Sequence, residues 1–424
     1  MTVSATDSIN PDVPLVTPDG RPLKLALAQA TRRARIRAFA LVLPLLLFVL
    51  VTFAFPIGQM LYLSIHNPVF ADHMPRLAAY LTEHPEVQVP GEEGFAALAL
   101  DLADAKKNRT AGRIGTRINY QRPGSNSLFK SSARKAAKFK GPPYKEKLLE
   151  IRSDWGEPHL WNVMRRASAQ HTLDFYAAAL DLTHDENGDL TQVSPERRIY
   201  VRLFWRTLFL SAVIAFLCLL LGYPVAHLLA TLPLRYSNLL MILVLLPFWT
   251  SLLVRTTSWI ALMQSQGVIN DILVTLGIVG DDGRVQMMYN QFGTIIAMTH
   301  ILLPFMILPL YSVMKTIPPS YVRAARSLGA TPLTAFIKVY FPQTTPGIGA
   351  GILLVFILAI GYYITPALVG GSSGQLISNQ IAFHMQTSLN WSLAAALGAI
   401  LLFMVILLYW VYDRLVGVDK MKLG

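Results

Sequence analysis

The chain of 424 residues has a single cysteine, Cys218, and only 15% charged residues. One thiol excludes an intrachain disulfide and any paired-cysteine metal or redox site, and no metal ligand set is expected. No GxxxxGK[ST] loop occurs, so the chain has no phosphate cradle of that kind. Acidic residues are scarce as well, 25 against 37 lysines and arginines, for a formal charge of +12. Between Val339 and Tyr412 a run of 74 residues carries no Asp, Glu, Lys or Arg. Hydrophobic residues fill 53% of the chain, too much for an ordinary soluble domain, and a polytopic membrane protein is expected. In such a protein a basic excess belongs in cytoplasmic loops, so it does not mark a nucleic-acid binder, and no nucleic-acid partner is expected.

Crossing a bilayer takes about 20 apolar residues in a helix, because only internal hydrogen bonds keep the peptide groups paired in lipid. Six stretches qualify, giving an all-α fold: 38–64, 208–230, 239–263, 292–314, 348–369 and 393–412. The first follows Arg32, Arg33, Arg35 and Arg37, and its length with no small-residue cleavage site reads as a retained anchor. The last two are expected to be joined by a turn at Gly370-Gly371-Ser372-Ser373-Gly374. Orientation follows from the short basic loops. The N-terminal arm has six basic residues, the loop after the fourth stretch has Lys315, Arg323, Arg326 and Lys338 without an acid, and the tail has Arg414, Lys420 and Lys422. Six spans put all three on the cytoplasmic side. The expected organisation is an arm at 1–37, a first span at 38–64, an extracytoplasmic insert at 65–200, a five-helix core at 201–413 and a tail at 414–424.

The insert is the unusual part. Its middle, from Ala105 to Ser153, holds 14 basic residues against Glu146 and Glu150. That composition reads as a solvated, partly disordered stretch, with an acidic partner, anionic lipid or nucleic acid as functional alternatives. On either side, Glu93–Lys107 and Tyr144–Leu182 have helical apolar spacing, which allows a small helical module. Asp185, Asn187, Asp189 and Glu196 follow calcium-loop spacing, but Leu190 stands where the sharp turn needs glycine, so an Asn-Gly turn is expected instead.

The loop after the fourth stretch runs from Ile317 to Pro342. Ser320 after a proline pair is expected to cap a short helix, Gly329 to end it with a positive φ, and Thr331-Pro332 to start another. Small Ala324 and Ala325 on the first helix allow another surface close. Ala324-Ala325, Gly329 and Val339-Tyr-Phe-Pro342 together resemble the EAA motif of permease subunits of bacterial ABC importers. Arg323 stands where that motif begins with glutamate, a reversed charge near a helix start. Gly222-Tyr-Pro224 and the segments 246–255, 302–311 and 345–351 are similar to the spermidine/putrescine branch of this family, on the side of its first permease subunit. The similarity spans the first stretch and everything from about Phe204 onward, and leaves out the insert.

The resemblance implies a type I ABC importer permease fold in a bacterial inner membrane, with both termini cytoplasmic. It also implies alternating access, with 317–342 docked on an ATPase dimer that holds the ATP and magnesium. A second permease subunit and an extracytoplasmic binding protein would complete the machine, and the chain itself would be neither an enzyme nor a cofactor binder. The polyamine cargo implied by the branch meets a physical objection, because no Asp or Glu lies in any of the six stretches. The chain offers aromatic faces at Trp249, Trp259, Tyr362 and Tyr363. Arg255 near the outer end of the third stretch is either a cargo contact or a snorkelling cation. An anionic or zwitterionic, amino-acid-like cargo is the alternative, and an ion-coupled carrier is disfavoured by the empty charge map. A membrane-anchored scaffold would leave six spans and the EAA-like loop unexplained. His227 and His300 are read as helix-to-helix hydrogen-bonding groups or proton relays.

Overall fold

Long apolar runs without backbone partners of their own close into helices, and helices dominate this chain. The computed structural model describes residues 23–86, 88–185 and 189–416. Asn187 and Gly188 of the turn, Arg21 of the arm, and Lys420 and Lys422 of the tail lie outside the described residues. The chain divides into two units, Met1–Tyr62 and Leu63–Gly424.

The first unit contains α1 (Leu23–Val49), a π-turn (Leu50–Ala54) and the start of α2 (Phe55–Leu63). Residues Ala30–Leu63 are long and apolar enough to cross a membrane, and the most apolar window has none of its residues buried. A helix apolar all round and unburied suits lipid contact. The π-turn has a local cause. Pro56 has no N–H, and its ring collides with the carbonyl four residues back; widening the preceding turn moves that carbonyl aside, and Phe55 N bonds Leu50 O.

In the second unit, residues 66–200 form a helical module that the composition argued against. It comprises α3 (Pro68–His73), α4 (Pro75–Glu83), α5 (Glu92–Lys107), α6 (Ala111–Asn119), α7 (Ser125–Ala136), α8 (Tyr144–Ile151), α9 (Pro158–Ser168) and α10 (Asp174–Ala179). The hairpin β1 (Leu182–His184) and β2 (Leu190–Gln192) follows, paired antiparallel. Cations lie mainly on the outer faces of the basic stretch, while Ile114, Ile118, Leu128 and Phe129 are fully buried at helical spacing. Two indoles lock the core: Trp155 donates to Ser132 Oγ (2.9 Å) and Trp161 to the Trp155 carbonyl (2.7 Å). Phe129 and Phe95 meet these rings edge-on, each at 5.2 Å. The helical expectation for Tyr144–Leu182 divides into α8, α9 and α10, because Pro158 restarts the chain and Ala169–Leu173 is irregular.

The membrane core follows: α11 (Tyr200–Thr231), α12 (Leu234–Trp249), α13 (Leu252–Met263), α14 (Val268–Thr275), α15 (Gln291–Thr316), α16 (Pro319–Ser327), α17 (Pro332–Ala335), α18 (Phe341–Gly361), α19 (Ile364–Val369), α20 (Gly371–Gly374), α21 (Ile377–Gln386) and α22 (Trp391–Val416). Among the described residues five helices, Ala30–Leu63 included, are long and apolar enough to span, or up to six if the bent pair 234–249 and 252–275 makes one crossing. The buried heart is α11, α15 and α18, where glycine permits close approach: a Cβ at Gly351 would lie 2.5 Å from Met306 Sδ, and one at Gly347 3.2 Å from Leu310 Cα. Insert and core share a cluster in which Phe175 and Ala179 pack with Leu203, Phe204, Leu393 and Leu397.

Three expectations are corrected. The third stretch, 239–263, is bent by 95°. Pro247 lies near the end of α12, and Thr250 turns back on its carbonyl through both N–H (3.4 Å) and Oγ1 (2.8 Å). The fifth stretch stops at Gly361, since the Pro366 ring would meet the Tyr362 carbonyl of a continuous helix. The expected glycine turn at 370–374 includes helix α20, followed by α21, whose Ile377 N–H bonds Thr207 Oγ1 on α11 at 2.8 Å.

Arg122 and Arg152 both donate to Asp154 (2.9 Å each), which holds this carboxyl below its ordinary range. A depressed folded-state pKa adds stability above the unfolded value of about 3.9, and that stability is lost as pH falls through the folded value. The thermal midpoint of the purified chain is therefore expected to drop on acidification below about pH 4. Asp154→Asn should lower the midpoint at neutral pH and flatten the acid limb; an unchanged acid limb would assign the loss to other carboxylates.

Candidate functional site

Two places depart from plain apolar helix. The first is the elbow at 317–342. Pro318 and Pro319 fix the entry to α16, so Ser320 sits inside the first turn and does not cap it, a correction to the expected Ser320 cap. The helix ends in a Schellman motif: Gly329 takes φ +89°, Ala330 N bonds Ala325 O (3.1 Å) and Gly329 N bonds Arg326 O (3.0 Å). Thr331 caps α17 by accepting from Thr334 N at 3.3 Å. A second π-turn, Phe336–Tyr340, precedes Phe341-Pro342, repeating the arrangement before Pro56.

The elbow is locally rigid yet outwardly bare. No residue of α16 is buried, Leu328 is 89% exposed, and Tyr321, Leu333 and Ile337 are exposed beside it. Arg323, Ala324 and Gly329 are exposed, and Ala325 is half-buried. Its far end is anchored. Phe336 and Tyr340 pack against His227 of α11, with ring centroids 5.7 and 5.0 Å away. Tyr223 Oη meets Thr344 Oγ1 at 3.2 Å. Val339 is half-buried, and its carbonyl accepts from the Gln343 side chain (2.6 Å); the Pro342 carbonyl, left without a donor by Pro346, accepts from Thr345 Oγ1 (2.7 Å). The elbow thus presents small and apolar side chains beside exposed Arg323 and Arg326, and its far end is fixed to α11 and α18.

The second place is the break in the membrane. Thr256 on α13 meets Thr365 on α19 (3.3 Å), and Trp259 donates to His300 Nδ1 on α15 (3.1 Å). Arg255, next to Thr256, lies within electrostatic reach of His300 and Tyr362, and its Nε is buried with no hydrogen-bond partner among the described residues. The structure therefore gathers Arg255 and Tyr362, and adds Trp259 and His300. Trp249 stands apart from this group, 69% exposed at the end of α12 across the bend. Tyr363 contributes its carbonyl. Ser378 donates to Tyr362 O (2.6 Å), closing the carbonyl opened by the break, and Asn379 adds a second donor to Tyr363 O (2.8 Å), which also accepts from Ala367 N (3.0 Å). Neither side chain was singled out from sequence, where they are two polar residues of a connector.

The chain is similar to known proteins outside the insert. The model of the family described as binding-protein-dependent transport system inner membrane component matches residues 219–417, which excludes the insert. The spermidine/putrescine transport system permease protein PotB of Haemophilus influenzae is 36% identical over 216 residues, 51% of this chain and 75% of its own length. PotB of Escherichia coli K12 is 35% identical over 222 residues, with 52% and 80% covered. A solved bacterial alginate ABC transporter, in complex with an alginate pentasaccharide-bound periplasmic protein, is 19% identical with a TM-score of 0.42, covering 54% of this chain and 82% of its own.

Removing the Asn379 amide leaves the buried Leu376 N–H without its acceptor, Asn379 Oδ1 (2.9 Å), and takes one of two donors from the Tyr363 carbonyl, which keeps Ala367 N (3.0 Å). Asn379→Ala is expected to destabilise the detergent-solubilised chain by about 1–3 kcal/mol, read from denaturant or thermal unfolding. An unchanged unfolding curve would show that the break does not depend on this staple.

Proposed function

Because the chain belongs to the family of binding-protein-dependent transport inner-membrane components, and is thus a transport permease, we propose that it is one of two membrane subunits of a polyamine importer driven by a separate ATPase. The bare, glycine-ended elbow carries this reading. In it, residues 317–342 sit on the cytoplasmic side in a cleft of an ATPase dimer that holds ATP and magnesium. Closure of that dimer pushes α16, and the aromatic contact of Phe336 and Tyr340 with His227 passes the movement to α11. The heart of α11, α15 and α18 then moves as a block, and the bends at Thr250–Ser251 and Tyr362–Tyr363 are where the spans yield. A second permease subunit and an extracytoplasmic binding protein complete the assembly in the bacterial inner membrane, with both termini cytoplasmic and 65–200 outside.

The cargo reading comes from the relatives named above. The six apolar stretches lack any carboxylate for a polycation, and Asp271 in the second half of the bent pair is engaged by Arg284 (2.8 Å), so acidic groups would come from the second permease or the binding protein. One observation favours a second reading: the buried, unpartnered Nε of Arg255 suits an anionic or zwitterionic cargo.

Three measurements test this. Ala325→Arg, with Gly329→Trp as a second variant, should abolish transport by the assembled complex while the chain inserts at normal abundance; normal transport would end the docking assignment. In a Cys218→Ser background, Ser127→Cys should react with an impermeant thiol reagent from outside and Ser327→Cys should not; reversed labelling would remove the ATPase from the scheme. Uptake of labelled putrescine and spermidine should survive Arg255→Gln. If the wild type takes up an amino acid and no polyamine, and the variant loses roughly tenfold or more in affinity, the cargo is the anionic or zwitterionic class.

A further inference from the structure

One cavity of the insert carries charge of a single sign. Arg109, Arg113 and Arg117 recur every four residues, and α6 sets the last two on one face. Lys130 of α7 lies over Gly112, where a Cβ would come within 3.1 Å of its Cε. These four cations line a cleft of about 830 Å³ between α6 and the start of α22, and no carboxylate lines it. Arg109, Arg113 and Lys130 form no ion pair among the described residues.

Arg117 forms the floor. It is only 5% exposed, its Nε donates to Asn67 Oδ1 (2.7 Å), and its guanidinium sits 4.9 Å from the Phe175 ring centre. Its Nη2 is buried without a hydrogen bond. The nearby Asp174 Oδ2 stands 3.8 Å away and already accepts from Gln121 Nε2 at 2.6 Å. That carboxylate lies on the side of a neighbouring cavity, and what Arg117 brings to this cleft is positive charge at its floor. The other wall is the beginning of α22, a 26-residue helix capped by Asn390, whose positive end favours an anion.

The rim is apolar. Leu389 (65% exposed) and Trp391 (47% exposed) flank the cleft where the apolar α22 begins, the position at which tryptophan marks a membrane–water interface. We infer that this cleft binds a phosphate-bearing anion, the headgroup of an anionic phospholipid whose acyl chains run down beside α22. The site is unsuited to a cationic cargo and is independent of what is transported.

The test uses the full chain purified in detergent, with retention of dioctanoyl-phosphatidylglycerol read by native mass spectrometry. The wild type should retain the lipid, and the surface double variant Arg113→Gln with Lys130→Gln should bind it about tenfold or more weakly, two charge-assisted contacts having been removed. Retention in excess inorganic phosphate assigns the site to the headgroup, and displacement assigns it to free phosphate. Equal retention by wild type and variant, or equal retention of dioctanoyl-phosphatidylcholine, overturns the inference. So does a variant that keeps the lipid and loses capture of the extracytoplasmic binding protein, which would make the cleft a protein contact.

Discussion

A backbone in lipid has nowhere to place an unpaired carbonyl, and this constraint shapes the membrane-spanning part of the chain. Proline opens such gaps, and next to several prolines a particular side chain fills them. Thr345 serves the Pro342 carbonyl freed by Pro346, and Ser378 serves the Tyr362 carbonyl freed by Pro366; at the end of α12, Thr250 takes up the carbonyl of Pro247 itself. Where no side chain is on hand, the helix widens by one residue, as before Pro56 and Pro342. Bends in these helices are therefore built positions, each with its own hydrogen-bond closure.

That arrangement separates stiff parts from yielding ones. Around Gly347 and Gly351 the helices α15 and α18 touch backbone to side chain, leaving little room to slide. At Tyr362–Tyr363 and Thr250–Ser251 the chain is held by a few hydrogen bonds instead of a continuous ladder. Near the breaks lie Arg255, Thr256, Trp259 and His300, a set of polar groups on α13 and α15. The elbow at 317–342 sits at the opposite end of α18 from the break at Tyr362, joined to α11 through His227, so the two departures from plain helix are mechanically linked.

The insert obeys the rule of an ordinary aqueous core. Two buried indoles must place their N–H groups, and Ser132 and the Trp155 carbonyl receive them. Once α5, α7, α8 and α9 close around those rings, the many lysines and arginines of the segment point mainly outward. Arg117 is buried, drawn inward by Asn67 and Phe175, and with Arg109, Arg113 and Lys130 it gives the cleft beside α22 its charge.

Local chemistry made much of this legible in the sequence. Apolar runs marked the spans because hydropathy and length suffice to favour a crossing helix. Gly329 and Thr331 announced the elbow's turn because positive φ and capping involve residues within one or two helical turns. The tertiary structure alone decided the rest. The break at Tyr362 depends on Ser378 and Asn379, 16 residues away, and a hydropathy average over 348–369 has no access to a partner outside its window. Ser320 has the chemistry of a cap, but the proline pair before it sets the helix start two residues earlier, with Pro318 in the cap position. The insert read as solvated because composition counts charges along the chain, whereas its folding rests on pairs such as Trp155 with Ser132, 23 residues apart, that only packing brings together.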